Sequence, residues 1–104
     1  MSYEIQAEMR HEIIHQIGAM VIASISGGRI RALPDGIELP VSSGYRVRIR
    51  LTPADTYTVQ RVMVRGSKEF HKGERTDVYF DEVSNAAYYA GMYKSYDETE
   101  WVTK

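Results

Sequence analysis

Residues 45–51 read Tyr-Arg-Val-Arg-Ile-Arg-Leu, an alternation without exception, with apolar side chains at 45, 47, 49 and 51 and arginine at 46, 48 and 50. A period of two belongs to a β-strand with one face buried and the other wet. The strand therefore demands a sheet with an apolar side and an arginine side. Downstream, Thr52-Pro53-Ala54-Asp55 is a turn, and the β-branched run 56–65 (Thr-Tyr-Thr-Val-Gln-Arg-Val-Met-Val-Arg) reads as the strand returning beside it. Upstream, Leu33-Pro34-Asp35-Gly36 is a second turn, followed by a short strand at Ile37-Glu38-Leu39 and a loop from Pro40 to Gly44.

Working further outward, Ile5, Met9, Ile13 and Ile17 recur at helical spacing with charged and polar residues between them, which predicts an amphipathic helix over residues 3–17 stopped at Gly18. The apolar run 19–26 and residues 29–33 flank Gly27-Gly28 and are read as paired strands of a tight hairpin. Toward the C-terminus a weak strand near 68–70, a loop at 71–75 and a last strand at 76–80 are expected. Asp81 then suits the N-cap of a helix running to about Lys94, with Val83, Ala86, Ala87, Ala90 and Gly91 forming a smooth packing face. The expectation is one α+β domain over residues 1–96: an N-terminal helix, an antiparallel meander of five to six strands, and a C-terminal helix packed on the sheet. Residues 97–104 form an acidic tail that contains Trp101 and Val102.

The composition agrees with one soluble domain: 104 residues, 43% hydrophobic, 26% charged, net charge −1. A domain of this size gains little from its own core, so self-association into a homodimer is a natural way to bury more surface. The absence of cysteine excludes disulfides, iron–sulfur ligation and a thiol nucleophile, and fits a reducing compartment. The longest apolar stretch, residues 17–25, is far short of the ~20 residues that span a bilayer. Glu4, Glu8 and Glu12 stand where a leader would carry Lys or Arg, so neither membrane association nor a targeting segment is expected. The small net charge conceals segregation. Residues 29–75 carry ten basic and five acidic side chains, whereas residues 1–28 and 76–104 are each net acidic.

Between residues 15 and 96 the order of an Ile-Gly after the first helix, Gly36-Ile-Glu-Leu-Pro40, the stretch Leu51-Thr-Pro-Ala-Asp-Thr-Tyr-Thr-Val59, Val64-Arg-Gly66, Asp77-Val-Tyr79 with Asp81, and Gly91-Met-Tyr93-Lys-Ser-Tyr96 resembles a family of small accessory proteins of bacteriophages and other mobile elements. Residues 26–29, Ser-Gly-Gly-Arg, depart from it, since a more polar, lysine-bearing segment is expected there. The resemblance implies a setting and no mechanism: action in the host cytoplasm on a host or defence protein, with no catalytic residue carried over.

Three constellations could carry chemistry. His11-Glu12-Ile13-Ile14-His15 is a literal H-E-x-x-H, which on a helix puts two imidazoles and a carboxylate within one turn, as a zinc hydrolase needs. Position 21 is Val where the longer motif wants a third ligand, and a solvated helix face explains the same residues, so no cofactor is expected. Arg46, Arg48 and Arg50, with Arg61 and Arg65 read as lying across from them, make a candidate surface for an anionic ligand or nucleic acid, guanidinium being the natural partner of phosphate and carboxylate. The competing reading pairs these arginines internally with Glu38, Asp55 or the acidic C-terminal region. Finally, the eight tyrosines divide between core and interface, with Tyr88, Tyr93 and Tyr96 the interface candidates. These features favour a non-enzymatic binding protein over a metal hydrolase.

Overall fold

The structure, a computed structural model, describes residues 3–92. Three helices lie on one face of a five-stranded antiparallel meander. The elements are α1 (Tyr3–Ile17), α2 (Ala19–Ser26), β1 (Arg31–Leu33), β2 (Gly36–Pro40), β3 (Tyr45–Leu51), β4 (Tyr57–Arg65), β5 (Lys68–Val78) and α3 (Val83–Gly91), with strand order β1-β2-β3-β4-β5. The fold is α+β, as expected, and the acidic tail at 97–104 lies outside the described residues.

The alternation in β3 does what its period requires. Val47 and Ile49 are fully buried against the helices, in register with Leu39 and Ile37 on β2, and Ile49 pairs with Val59 on β4. The core is completed by Tyr57 and Val78 from the sheet, Met9, Ile13 and Ile17 from α1, Ile22 from α2, and Val83, Ala86, Ala87 and Ala90 from α3. Each fully buried Ile or Val of this layer contributes roughly 1.5–3 kcal/mol. The alanines of α3 bury completely because a side chain of one carbon lets the helix lie close to the sheet. Tyr57 spans both worlds: its ring is in the core and its hydroxyl donates to Gln16 Oε1 at 2.5 Å. Burial, aided by the charges of Glu12 and Asp55, raises the Tyr57 pKa above the ordinary tyrosine value.

Three sequence expectations are corrected. Residues 19–26 are helix α2 and not a strand, so no hairpin joins them to residues 29–33, and β1 pairs with β2 instead. α1 does end at Ile17, as expected: Gly18 at φ 94° breaks the helix, and its carbonyl accepts the Ile22 N–H at 3.1 Å as α2 begins. Gly27, in the left-handed region at φ 67°, ends α2 by donating to the Ala23 carbonyl at 2.9 Å. A short apolar run is ambiguous between strand and helix, and the apparent turn glycines are a helix C-cap.

The weak strand, loop and last strand expected over 68–80 are one eleven-residue strand, β5. Register shifts opposite Tyr57/Val59 and Arg61/Val62 let β5 carry extra residues as bulges without breaking, and Asp77 takes φ 55° at one of them. Asp81 does not cap α3. The cap position is Glu82, with no side-chain cap bond, and its carboxylate instead accepts the Tyr79 N–H at 3.4 Å and pairs with Arg75 at 3.5 Å. The helix ends at Gly91, and the portion expected beyond Met92 lies outside the described residues.

Gly36 is fixed by close approach. A Cβ there would stand 1.8 Å from the Ile49 carbonyl oxygen on β3, so only glycine lets β2 and β3 meet at this register.

Candidate functional site

The even-numbered residues of β3 point away from the helices and build the outer sheet face. Register aligns Glu38, Arg48, Gln60 and Glu74 in one row across four strands, with Pro40, Arg46, Val62 and His71 beside it and Gly36, Arg50 and Thr58 on the other flank. Glu38 is the hub. Its carboxylate accepts Arg48 Nε at 2.7 Å and lies 3.7 Å from Arg31 and 3.9 Å from Arg46, while its side chain is only 8% exposed.

Arg48 makes a second, bidentate pair with Glu69 at 3.1 and 2.8 Å, which requires the β4–β5 hairpin to curl over the face. The two groups hold each other charged. The bond to Arg48 lowers the Glu69 pKa, and the bonds to Glu69 and then Glu38 raise that of Arg48 despite its partial burial. Arg50 pairs with Asp35 at 2.7 Å and donates to Gln60, which donates in turn to Glu74. Arg46, Arg48 and Arg50 thus share one face, as their spacing implies, and each has a carboxylate neighbour from its own fold. Of the acids proposed as partners, Glu38 serves Arg46 and Arg48; in the acidic C-terminal region Glu82 pairs with Arg75, and residues 93–104 lie outside the described residues.

Arg61 and Arg65 do not join this face. Arg61 sits opposite Val47 on the helix side of the sheet, 1% exposed, its guanidinium 4.2 Å above the Tyr45 ring. Arg65 is exposed at the end of β4, beside Lys68. Odd-numbered positions of β4 face the helices, and Arg61 follows that parity against its polarity. The parity was readable in the sequence; that an arginine would obey it was not.

His11, Glu12 and His15 lie exposed on α1, and His71 is on β5 within 3.4 Å of Glu74. Among the described residues no three His, Asp or Glu side chains come together as a metal site.

The second surface is helical. α2 and α3 lie side by side: Ser84 Oγ donates to the Ile17 carbonyl at 2.8 Å just before α2, and a Cβ on Gly91 would stand 3.0 Å from Ile25 near its end. From Gln16 to Gly28 and from Val83 to Met92 there is no charged residue. Met20 is 85% exposed, Phe80 66% and Tyr79 56%, with Tyr88, Tyr89 and Met92 also exposed. Tyr88 and Tyr89 stack edge to face at 6.3 Å. Of the tyrosines named as interface candidates, Tyr88 lies on this surface; Tyr93 and Tyr96 lie outside the described residues. The sequence signal for the surface was the charge-free run 16–28, which a strand assignment hid.

The fold and its surfaces define a small α+β domain that presents a self-paired arginine face and an uncharged helix pair. No protein-family model matches the chain, and no solved structure matches it. Among the described residues no helix is long and apolar enough to cross a membrane.

Proposed function

We propose that this is a non-enzymatic binding protein whose partner is another protein, docked on the uncharged face of α2 and α3. The single observation that supports this reading is the collection of Met20, Tyr79, Phe80 and Tyr88, all exposed, on or beside two surface helices devoid of charge. Depletion of charge with enrichment in Tyr and Met is the composition of a protein interface core. The resemblance to phage and mobile-element accessory proteins supplies the setting: action in the host cytoplasm on a host or defence component. An anionic ligand or nucleic acid is the weaker reading, because Glu38, Glu69 and Asp35 already occupy the arginines such a ligand would need.

The test is affinity purification from host cells with the native chain, Met20→Glu/Tyr88→Glu, and Arg65→Ala as a control. A defined partner retained by the native chain and the control but lost from the double variant is expected. A partner equally retained by the double variant, or none retained by the native chain, refutes the proposal. Light scattering separates a second copy of this chain from a foreign partner.

A further inference from the structure

The carboxylates of this fold answer most of its cations. Arg48 and Arg50 each meet a carboxylate at 2.7 Å, and Arg75 meets one at 3.5 Å. The β4–β5 hairpin is the exception. Residues 61–75 hold five basic and two acidic side chains, and both acids are engaged: Glu69 binds Arg48, and Glu74 accepts from Gln60. Arg65, Lys68 and Lys72 form no ion pair among the described residues.

A two-residue turn, Gly66-Ser67 with Gly66 at φ 63°, sets Arg65 directly across from Lys68. Like charges in that position repel each other and weaken the hairpin they close. Both side chains are exposed, so no packing of the core requires them. An anion seated between them turns the repulsion into attraction.

Register decides which side of the sheet this charge occupies. Tyr45, Met63 and Phe70 form one row across three strands on the helix side. Arg65 and Lys68 form the next row on that same side, about 7 Å further along. Glu69, opposite Val64, belongs to the outer face, where it holds Arg48. The helices leave this end of the sheet partly open: Tyr45 and Met63 are half-buried, and Phe70 is 43% exposed. Arg61 holds the Tyr45 ring at 4.2 Å, and Phe70 is the aromatic side chain of the row that reaches solvent.

We infer that this end of the sheet binds single-stranded nucleic acid, with phosphates on Arg65 and Lys68 and a base stacked on Phe70. Cations and an aromatic ring in adjacent rows of one face suit a chain that carries phosphates and unpaired bases side by side. A duplex keeps its base faces stacked inside, and a run of acidic residues has no ring to lay on Phe70. The surface is separate from the outer arginine face, whose cations are paired, and from the helix pair of the proposed function.

The experiment is fluorescence anisotropy of a fluorescein-labelled oligothymidylate of about twelve nucleotides, titrated with the full chain, beside a labelled duplex of the same length and labelled polyglutamate. A dissociation constant of about 100 µM at low salt is expected, at least threefold tighter than for the duplex or polyglutamate. Two phosphate contacts predict about a sevenfold loss of affinity between 50 and 200 mM salt. Arg65→Ala/Lys68→Ala should bind more weakly and lose most of that salt dependence. Phe70→Ala should weaken binding about fivefold or more with the salt dependence kept, and Phe70→Trp should restore it. Arg31→Ala, on the outer face, should bind as the native chain does. Circular dichroism confirms that each variant is folded. No binding of the oligothymidylate, polyglutamate or duplex bound as tightly, affinity unchanged in Arg65→Ala/Lys68→Ala or in Phe70→Ala, or an equal loss in Arg31→Ala would each overturn the inference.

Discussion

Replacing Glu38 by Ala should both destabilise the protein and expose its arginines. The carboxylate is 8% exposed and accepts Arg48 Nε at 2.7 Å, with Arg31 and Arg46 within 3.9 Å. Losing one charge-assisted hydrogen bond costs about 1.5–3 kcal/mol, and stripping one partner from a fully buried ion pair costs about 3–5 kcal/mol. Arg48 is 15% exposed and keeps Glu69, so the loss belongs at the lower end, about 2–3 kcal/mol. For a domain of this size that is a fall in Tm of roughly 10–20 °C. Urea unfolding followed by circular dichroism measures it, with the m-value unchanged if only the native state is affected. Retention on a heparin column reports the other half: Glu38→Ala should elute at higher salt than the native chain, because Arg31, Arg46 and Arg48 lose their shared counter-ion. A stability loss under about 0.5 kcal/mol, well below any hydrogen-bonded charge pair, would refute the view that the arginine face is held by its own carboxylates.

Gly36→Ala must part β2 from β3 to clear the 1.8 Å approach to the Ile49 carbonyl, and should cost about 3 kcal/mol or more or abolish soluble expression; a near-native melting curve contradicts that. Tyr57→Phe removes the bond to Gln16 and should cost about 1 kcal/mol at pH 7, checked by urea titration. Because the folded pKa of Tyr57 is raised, its contribution is complete below about pH 10 and disappears as pH climbs through the folded value; the alkaline fall of Tm should therefore be shallower in Tyr57→Phe. Glu69 behaves oppositely. Its folded pKa is lowered by Arg48, so its contribution is present above the ordinary carboxylate value and disappears as pH falls through the folded one, and Glu69→Gln should flatten the acid limb of the Tm profile.

Much of the fold was legible because its periods are clean. β3 declares itself by alternation, α1 by Met9, Ile13 and Ile17, and the turn at Leu33–Gly36 by its proline and glycine. The misreadings fall where local signals have two physical solutions. Gly27 serves equally in a hairpin turn and as a left-handed helix cap, and only the burial of Ile22 against the sheet decides for α2. Gly73 reads as a loop residue, yet opposite the buried Arg61 it sits within a bulged strand that continues. A bulge spends one residue without breaking the ladder, so it leaves no trace in a sequence period.

The candidate sites divide along the same line. Alternation states where Arg46, Arg48 and Arg50 point, but what they meet depends on register and curl: Glu38 is across from Arg48, and Glu69 arrives from two strands away. A charge map along the chain counts ten basic residues between 29 and 75 as an invitation to an anion, whereas in space Glu38, Glu69 and Asp35 of that same segment pair with Arg31, Arg46, Arg48 and Arg50. The converse holds for α2. A run without charge draws no notice in a count of charges, yet at the surface it is the rarer condition, since exposed helices of soluble domains ordinarily carry ionised side chains on their outer face. Met20, at 85% exposure, takes no part in the core of the described residues. The absence of charge around it therefore weighs more heavily for partner binding than the abundance of charge on the sheet, and the two substitution sets, Met20 with Tyr88 against Glu38, measure that difference directly.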